Sequence, residues 1–329
     1  MTKTVLCRFI PALFLACTFA ASAEQLSPAV RRTPFSQTAV PGAPAAPKWA
    51  DGHLIWFRPS TTYSDLSNNF AVHNSEGHAV LETRVWVPDA TQVWIRDVEA
   101  VEGEAVAVGN AVVGSLEYTG FLAFIPIKGG AARIVRTAPF EGMSVAVGPD
   151  RSVWVLGLQL GEERRILKAP DHAMLQHYGR DGKFIGGSLP WSSFRCGLHP
   201  AADQFDGHAE VRASKDRIGV LLPTCHEWLE LNTSGEITGR WSWREVPITN
   251  GLKSSAMVSS VVMTPSNEVF ARIGIGLYRL NREQGTWDAV DLTAATDAGA
   301  IFGWLAGHDG ESLVYLSQRE LVRADVRKQ

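Results

Sequence analysis

Five glycines, Gly77, Gly129, Gly182, Gly235 and Gly285, recur at intervals of 52, 53, 53 and 50 residues. Each sits in a polar turn between two short apolar runs: "FAVHNSEGHAVLE", "LAFIPIKGGAARIV", "LQHYGRDGKFIGG", "LELNTSGEITGRW" and "LYRLNREQGTWDAV". Glycine suits such turns because a left-handed φ costs it almost nothing. A period of about 50 residues means one supersecondary unit copied along the chain, each copy stabilised by its neighbours.

A second hairpin type alternates with the first. It reads "IRDVEAVEGEAVAVG" at 95–109, "SVAVGPDRSVWVLGL" at 144–158 and "AEVRASKDRIGVLL" at 209–222. It returns as "VSSVVMTPSNEVFARI" at 258–273 and "FGWLAGHDGESLVYLS" at 302–317, with a shorter relative, "WADGHLIWF", from Trp49. These runs are apolar almost throughout, as strands buried on both faces must be. A two-stranded hairpin alone is marginal in water. Two hairpins per repeat make one four-stranded blade, so the expected fold is all-β, a β-propeller. Six hairpins of this second type but only five of the glycine-turn type leave one strand unaccounted for. The C-terminal "ELVRADV" aligns with "GLYRLN" as a third strand, and then the chain stops. The fourth is expected from the Pro/Ala-rich N-terminal arm, residues 24–48, somewhere in 26–40, which would close the ring and remove open edges. Blade one is the weak point, because "PGAPAAPKW" puts proline where its first strand should lie. Six blades fit this count, and five or seven stay open; the propeller is expected to be one domain over 49–329.

On "MSVAVGPDRSVWVLG" and "LYRLNREQGTWD" the chain resembles the NHL-like six-bladed propellers of bacterial exported proteins over roughly residues 50–326. Tryptophan-aspartate and kelch signatures are absent, and "NREQGTW" only approaches a sialidase-type aspartate box. The resemblance therefore implies a fold and an exported setting, and brings no site residues with it.

The first 23 residues read as a signal peptide: "MTKTVLCR" is basic, "FIPALFLACTFAA" is apolar but short for a span, and "ASA" offers cleavage after Ala23. A lipoprotein signal ending at Cys17 is the alternative, which Phe14 and Leu15 match poorly. Removing Lys3 and Arg8 from 31 basic residues leaves 29 against 34 acidic ones, a net of −5. With no basic stripe, nucleic acid is excluded as a partner. The mature chain is expected in the periplasm or outside the cell, with no membrane span. Its two remaining cysteines, Cys196 and Cys225, are expected to pair there as a disulfide.

Standard catalytic motifs are missing. "GMSVA" lacks the last glycine of a nucleophile elbow, and "HEWLE" lacks the second histidine of a zincin. The richest polar stretch, "RCGLHPAADQFDGHAEV", holds His199, Asp203, Asp206 and His208, and the expected disulfide brings His226 and Glu227 near it. His199, Asp203, Asp206, His226 and Glu227 could bind a divalent cation, or the stretch could be a solvated loop; no other cofactor is indicated. Aligning the inner hairpins on their turns places Arg96, Asp97, His208, Ser259 and Trp304 near the starts of the innermost strands, at one mouth of the channel. These are expected to bind a ligand, Arg96 gripping an anion and Trp304 stacking on a ring. On that reading, replacing Asp97 or His208 abolishes binding and leaves stability almost unchanged; on the competing one, Arg96 and Asp97 simply pair or sit in channel water. Strand tryptophans such as Trp154, Trp228 and Trp243 read as blade fillers more than as carbohydrate platforms. Two functions follow: a binding or scaffolding module for a small molecule, glycan or protein, or a hydrolase or lyase using the same mouth. Fold does not choose between them.

Overall fold

A computed structural model describes residues 24–25, 30–34, 47–57, 67–114, 117–159, 172–193, 209–244, 246, 258–274, 276–291, 304–310, 312–316 and 320–325. The described chain is all-β apart from two single 3-10 turns, Trp191–Ser193 and Pro223–Cys225.

Two arm strands, β1 (Glu24–Gln25) and β2 (Val30–Pro34), come first. A first group follows: β3 (Lys48–Ala50), β4 (His53–Phe57), β5 (Asn69–His73) and β6 (Ala79–Arg84). The second is β7 (Ala90–Val101), β8 (Glu104–Val113), β9 (Glu117–Pro126) and β10 (Arg133–Arg136). The third is β11 (Phe140–Val147), β12 (Val153–Gln159), β13 (Ala173–Tyr178) and β14 (Phe184–Pro190). The fourth is β15 (Glu210–Ala213), β16 (Arg217–Leu222), β17 (Glu227–Asn232) and β18 (Ile237–Ser242), and the fifth is β19 (Val258–Met263), β20 (Val269–Ile273), β21 (Gly276–Asn281) and β22 (Thr286–Asp291). Last come β23 (Trp304–Asp309), β24 (Ser312–Leu316) and β25 (Glu320–Asp325).

Each group is an antiparallel meander, and the hairpins read from the sequence are its strand pairs: Val145 lies opposite Val155, and Tyr178 opposite Phe184. The turn glycines between third and fourth strands all have left-handed φ, between 70° and 89°. β2 pairs antiparallel with β25, Arg32 opposite Val322, as a fourth strand for the last group. β1 lies outside the 26–40 stretch expected to supply a strand; it pairs parallel with β22 and widens that sheet to five strands. β3 lies in the first-strand position that the prolines argued against. It avoids them by being only three residues long and starting immediately after Pro47. β23 and β3 join through a parallel contact at Gly307 and Trp49. There a Cβ on residue 307 would stand 2.2 Å from the Trp49 carbonyl oxygen, so only glycine permits the approach.

The core lies between groups. Six apolar clusters among the described residues each join consecutive groups, and the sixth joins the last to the first. Ile55 and Val72 pack with Ile95 and Phe121; Val108 and Leu122 with Val145 and Val155. Trp154 and Leu156 pack with Val211 and Leu229, then Trp228 and Leu221 with Val261 and Ala271. Val262 and Phe270 meet Leu313 and Tyr315, and Leu54 and Trp49 meet Val314 and Leu316. The inner strands of each sheet are thereby removed from water on both faces while the fourth strands stay largely exposed, and burial supplies about 1.5–3 kcal/mol for each large apolar side chain buried. The buried Trp154, Trp228 and Trp243 belong to these layers as gap fillers.

Candidate functional site

The first strands of the groups have one ladder edge each that no fourth strand covers, so their backbone groups need side-chain partners. On β7, Asp97 and Glu99 are two residues apart and share a side of the strand. Lys48 of β3 places its ammonium between them, 3.0 and 3.2 Å from the Asp97 carboxylate oxygens and 2.7 Å from Glu99 Oε2. It also donates to the Val145 carbonyl at 3.0 Å, while Asp97 Oδ2 accepts from the Val145 N–H at 2.9 Å. Asp97 further accepts from Ser144 Oγ at 2.8 Å and from the Val98 N–H at 2.8 Å. Lys48 and Asp97 thus satisfy both backbone groups of one valine on the next strand.

The device recurs two groups further along the chain. Arg212 Nε donates to the Val261 carbonyl at 2.9 Å, its NH2 pairs with Glu210 Oε2 at 2.5 Å, and Glu210 accepts from the Val261 backbone N–H. Ser144 Oγ accepts from the Val211 N–H at 3.2 Å, tying β11 to β15. Burial pushes the Glu210 carboxyl up, Arg212 and Lys48 oppose it, and Asp97 adds to the rise. Burial alone would lower Arg212, but Glu210, Glu99 and Asp97 hold its guanidinium above the ordinary value.

Beside these ties opens a cavity of about 570 Å³. All six first strands line it, through Lys48 and Ala50, Glu99 and Val101, Ala146 and Val147, Arg212 and Ala213, Val262 and Met263, and Ala306 to His308. Asp51, Gly148, Pro149, Lys215 and Pro265 set its rim, so it opens where the inner hairpins turn. Neighbouring turns are fastened to one another: the Glu102 N–H donates to Asp51 Oδ2 at 2.5 Å, Arg151 pairs with Glu102, and Asn267 Nδ2 donates to Asp216 at 2.9 Å. Such a mouth is preformed, as small-molecule sites usually are.

The residues singled out in the sequence are dispersed. Arg96 pairs with Glu141 at 2.8 Å, and Asn110 donates to the same carboxylate oxygen. Asp97 is saturated as described. Trp304 packs partly buried against the cluster of Trp49 and Leu316, and Ser259 is half-buried beside Ser260. His208 lies outside the described residues; the register puts Glu210 opposite Leu221, so Glu210 holds the strand-start place the alignment gave to His208. Of the metal set, His199, Asp203 and Asp206 are likewise outside them, as is Cys196. His226 caps the 3-10 turn near the Trp243 ring, and Glu227 pairs with Arg240 at 3.7 Å. Among the described residues no three His, Cys, Asp or Glu side chains gather as a metal site. The sequence reading missed Lys48, Glu99 and Arg212. The available signal was a charge at alternate positions of otherwise apolar inner strands, seen in "RDVEAV" and "EVRA".

No family model matches the sequence, and no curated protein matches it. Solved structures do. An exported-type protein of Bacteroides fragilis matches with a TM-score of 0.54 at 8% identity, over 92% of this chain and 96% of that one. Virginiamycin B lyase of Staphylococcus aureus, an inactive variant with quinupristin, matches with a TM-score of 0.44 at 11% identity, over 91% of this chain and 100% of that one. A Bacteroides caccae protein of unknown function follows at 0.46 and 15% identity, over 76% of this chain and 74% of that one. At such identities the first of these supports the fold alone.

Proposed function

We propose that the protein is an exported, six-bladed, NHL-like propeller that serves as a binding module, taking a small ligand into the hairpin-turn mouth of its channel. One observation carries this reading: a single cavity of about 570 Å³ is lined by the first strand of every group, within the size range of small-molecule sites. The cyclic order of the six apolar clusters supports six blades, and the β2–β25 pairing supports closure by the arm. We favour binding over a hydrolase or lyase because Asp97, Lys48 and Arg212 already direct their hydrogen bonds to neighbouring strands. Export rests on the signal-like first 23 residues, and no helix among the described residues is long and apolar enough to cross a membrane. A Cys196–Cys225 disulfide fits that setting, with Cys225 buried at the end of its 3-10 turn.

The test is a ligand-observed NMR screen of the mature chain beside Ala213→Trp, which places a large ring at a partly buried wall position. Compounds that bind the parent and are lost in a variant melting at the same temperature are expected. Hits that bind the variant equally well would move the site elsewhere.

A further inference from the structure

The cavity's polar floor carries Lys48, Glu99 and Arg212 within an otherwise aliphatic sleeve that includes Val101, Val147 and Met263. The donors on this floor are largely committed. Lys48 has three N–H groups and three acceptors around it, in Asp97, Glu99 and the Val145 carbonyl. Arg212 is directed to Glu210 and to the carbonyls of Val211 and Val261. The acceptors are not equally committed. Glu99 has an ion pair to Lys48 through Oε2 and also acts electrostatically on Arg212, but its Oε1 has no hydrogen bond among the described residues. Around the channel and its rim four carboxylates, Asp51, Asp97, Glu99 and Glu210, face three cations, Lys48, Arg212 and Lys215, so a further positive charge beside Glu99 is favoured by Coulomb attraction in a confined, poorly screened space.

Resting on the reading of this cavity as a binding site, we propose that its ligand is a small primary ammonium compound with an aliphatic body, the ammonium seated on Glu99. A carboxylate ligand would meet Glu99 as a like charge and find the Lys48 protons taken. A neutral alcohol of the same shape would gain the sleeve contacts but lack the charge-assisted hydrogen bond, which is about twice as strong as a neutral one.

Calorimetric titration of the mature protein with n-hexylammonium, 1-hexanol, hexanoate and calcium chloride separates these cases. Hexylammonium is expected to bind more tightly than hexanol, with hexanoate and calcium giving no heat. Glu99→Gln is expected to weaken hexylammonium by about tenfold or more while leaving hexanol unchanged, since a charged hydrogen bond is lost. Because Lys48 also relies on Glu99, Glu99→Asp is run in parallel; it keeps the charge and should retain the preference for the amine. Hexanoate or calcium binding in preference to hexylammonium, or equal affinity in Glu99→Gln, overturns the ammonium assignment. The cavity reading survives those results provided Ala213→Trp still abolishes whichever ligand binds. If none of the four probes gives heat, the ammonium assignment falls; if Ala213→Trp leaves a bound probe unaffected, the cavity reading falls with it.

Discussion

Replacing Asp97 with alanine tests whether the channel charges are ties between strands. The Asp97 side chain is 11% exposed and that of Lys48 8%. Removing the carboxylate deprives Lys48 of one of its two ion-pair partners, the Val145 N–H of its acceptor, and the Ser144 hydroxyl proton of its acceptor. Breaking a buried pair from one side costs about 3–5 kcal/mol. Glu99 remains 2.7 Å from the ammonium, so the charge is not left unpaired and its loss falls below that range, at about 2 kcal/mol for a hydrogen bond to a charged group. The orphaned Val145 N–H returns the total to about 3–5 kcal/mol, because an unmet buried donor costs about 1–3 kcal/mol. In a chain of 329 residues, where 1 kcal/mol moves the midpoint by about 2 °C, the melting temperature should fall by about 6–10 °C. Asp97→Asn keeps an oxygen for the Val145 N–H and should fall about half as far. Differential scanning calorimetry at neutral pH measures both. A drop below about 2 °C for Asp97→Ala would refute the tie and restore Asp97 as a ligand-facing carboxylate.

Glu230 is a second buried carboxylate, wholly enclosed on β17. It accepts from Arg282 Nε at 3.0 and 3.1 Å, from Arg217 at 2.7 Å and from Trp228 Nε1 at 3.1 Å. Burial pushes its carboxyl up, but Arg282, Trp228 and Arg217 outweigh that and hold it below the usual range. A depressed folded value stabilises above the unfolded pKa of about 4.3 and is lost as pH falls through the folded value. The urea-midpoint gap between wild type and Glu230→Gln should therefore be wide at pH 7 and shrink steadily below pH ~4; a gap independent of pH contradicts the assignment. Deleting residues 24–47 removes β1 and β2 and exposes the outer edge of β25; it should lower the melting temperature markedly, and a truncated form that melts like the parent removes the closing role of the arm. Alkylation followed by intact-mass analysis of exported protein should show neither Cys196 nor Cys225 modified, whereas two labelled thiols would exclude the disulfide.

How much of this could be read from the sequence depends on whether the cause repeats. The turn glycines repeat because every outer hairpin meets the same steric problem, and their spacing fixed the group length before any coordinate. The ties do not repeat that way. Lys48 and Asp97 are 49 residues apart, Glu230 and Arg282 are 52 apart, and Ser144 and Val211 are 67 apart, so each joins one group to the next. Each is invisible until the ring places neighbouring groups side by side. The alignment on turns reached the right strands but slipped at His208, because β15 is short: it ends at Ala213 and begins only at Glu210. It also favoured the strand starts over the turn ends. There Arg96 looked costly for a packing position, yet a β-bulge between Ile95 and Asp97 accompanies its pairing with Glu141 on β11. Charges on an inner strand therefore have two explanations that composition cannot separate, capping an open ladder edge or meeting a ligand. Hydrogen-bond saturation separates them: Asp97 meets four donors and belongs to the first kind, while Glu99, with one oxygen left over a lined cavity, is the carboxylate with capacity for the second.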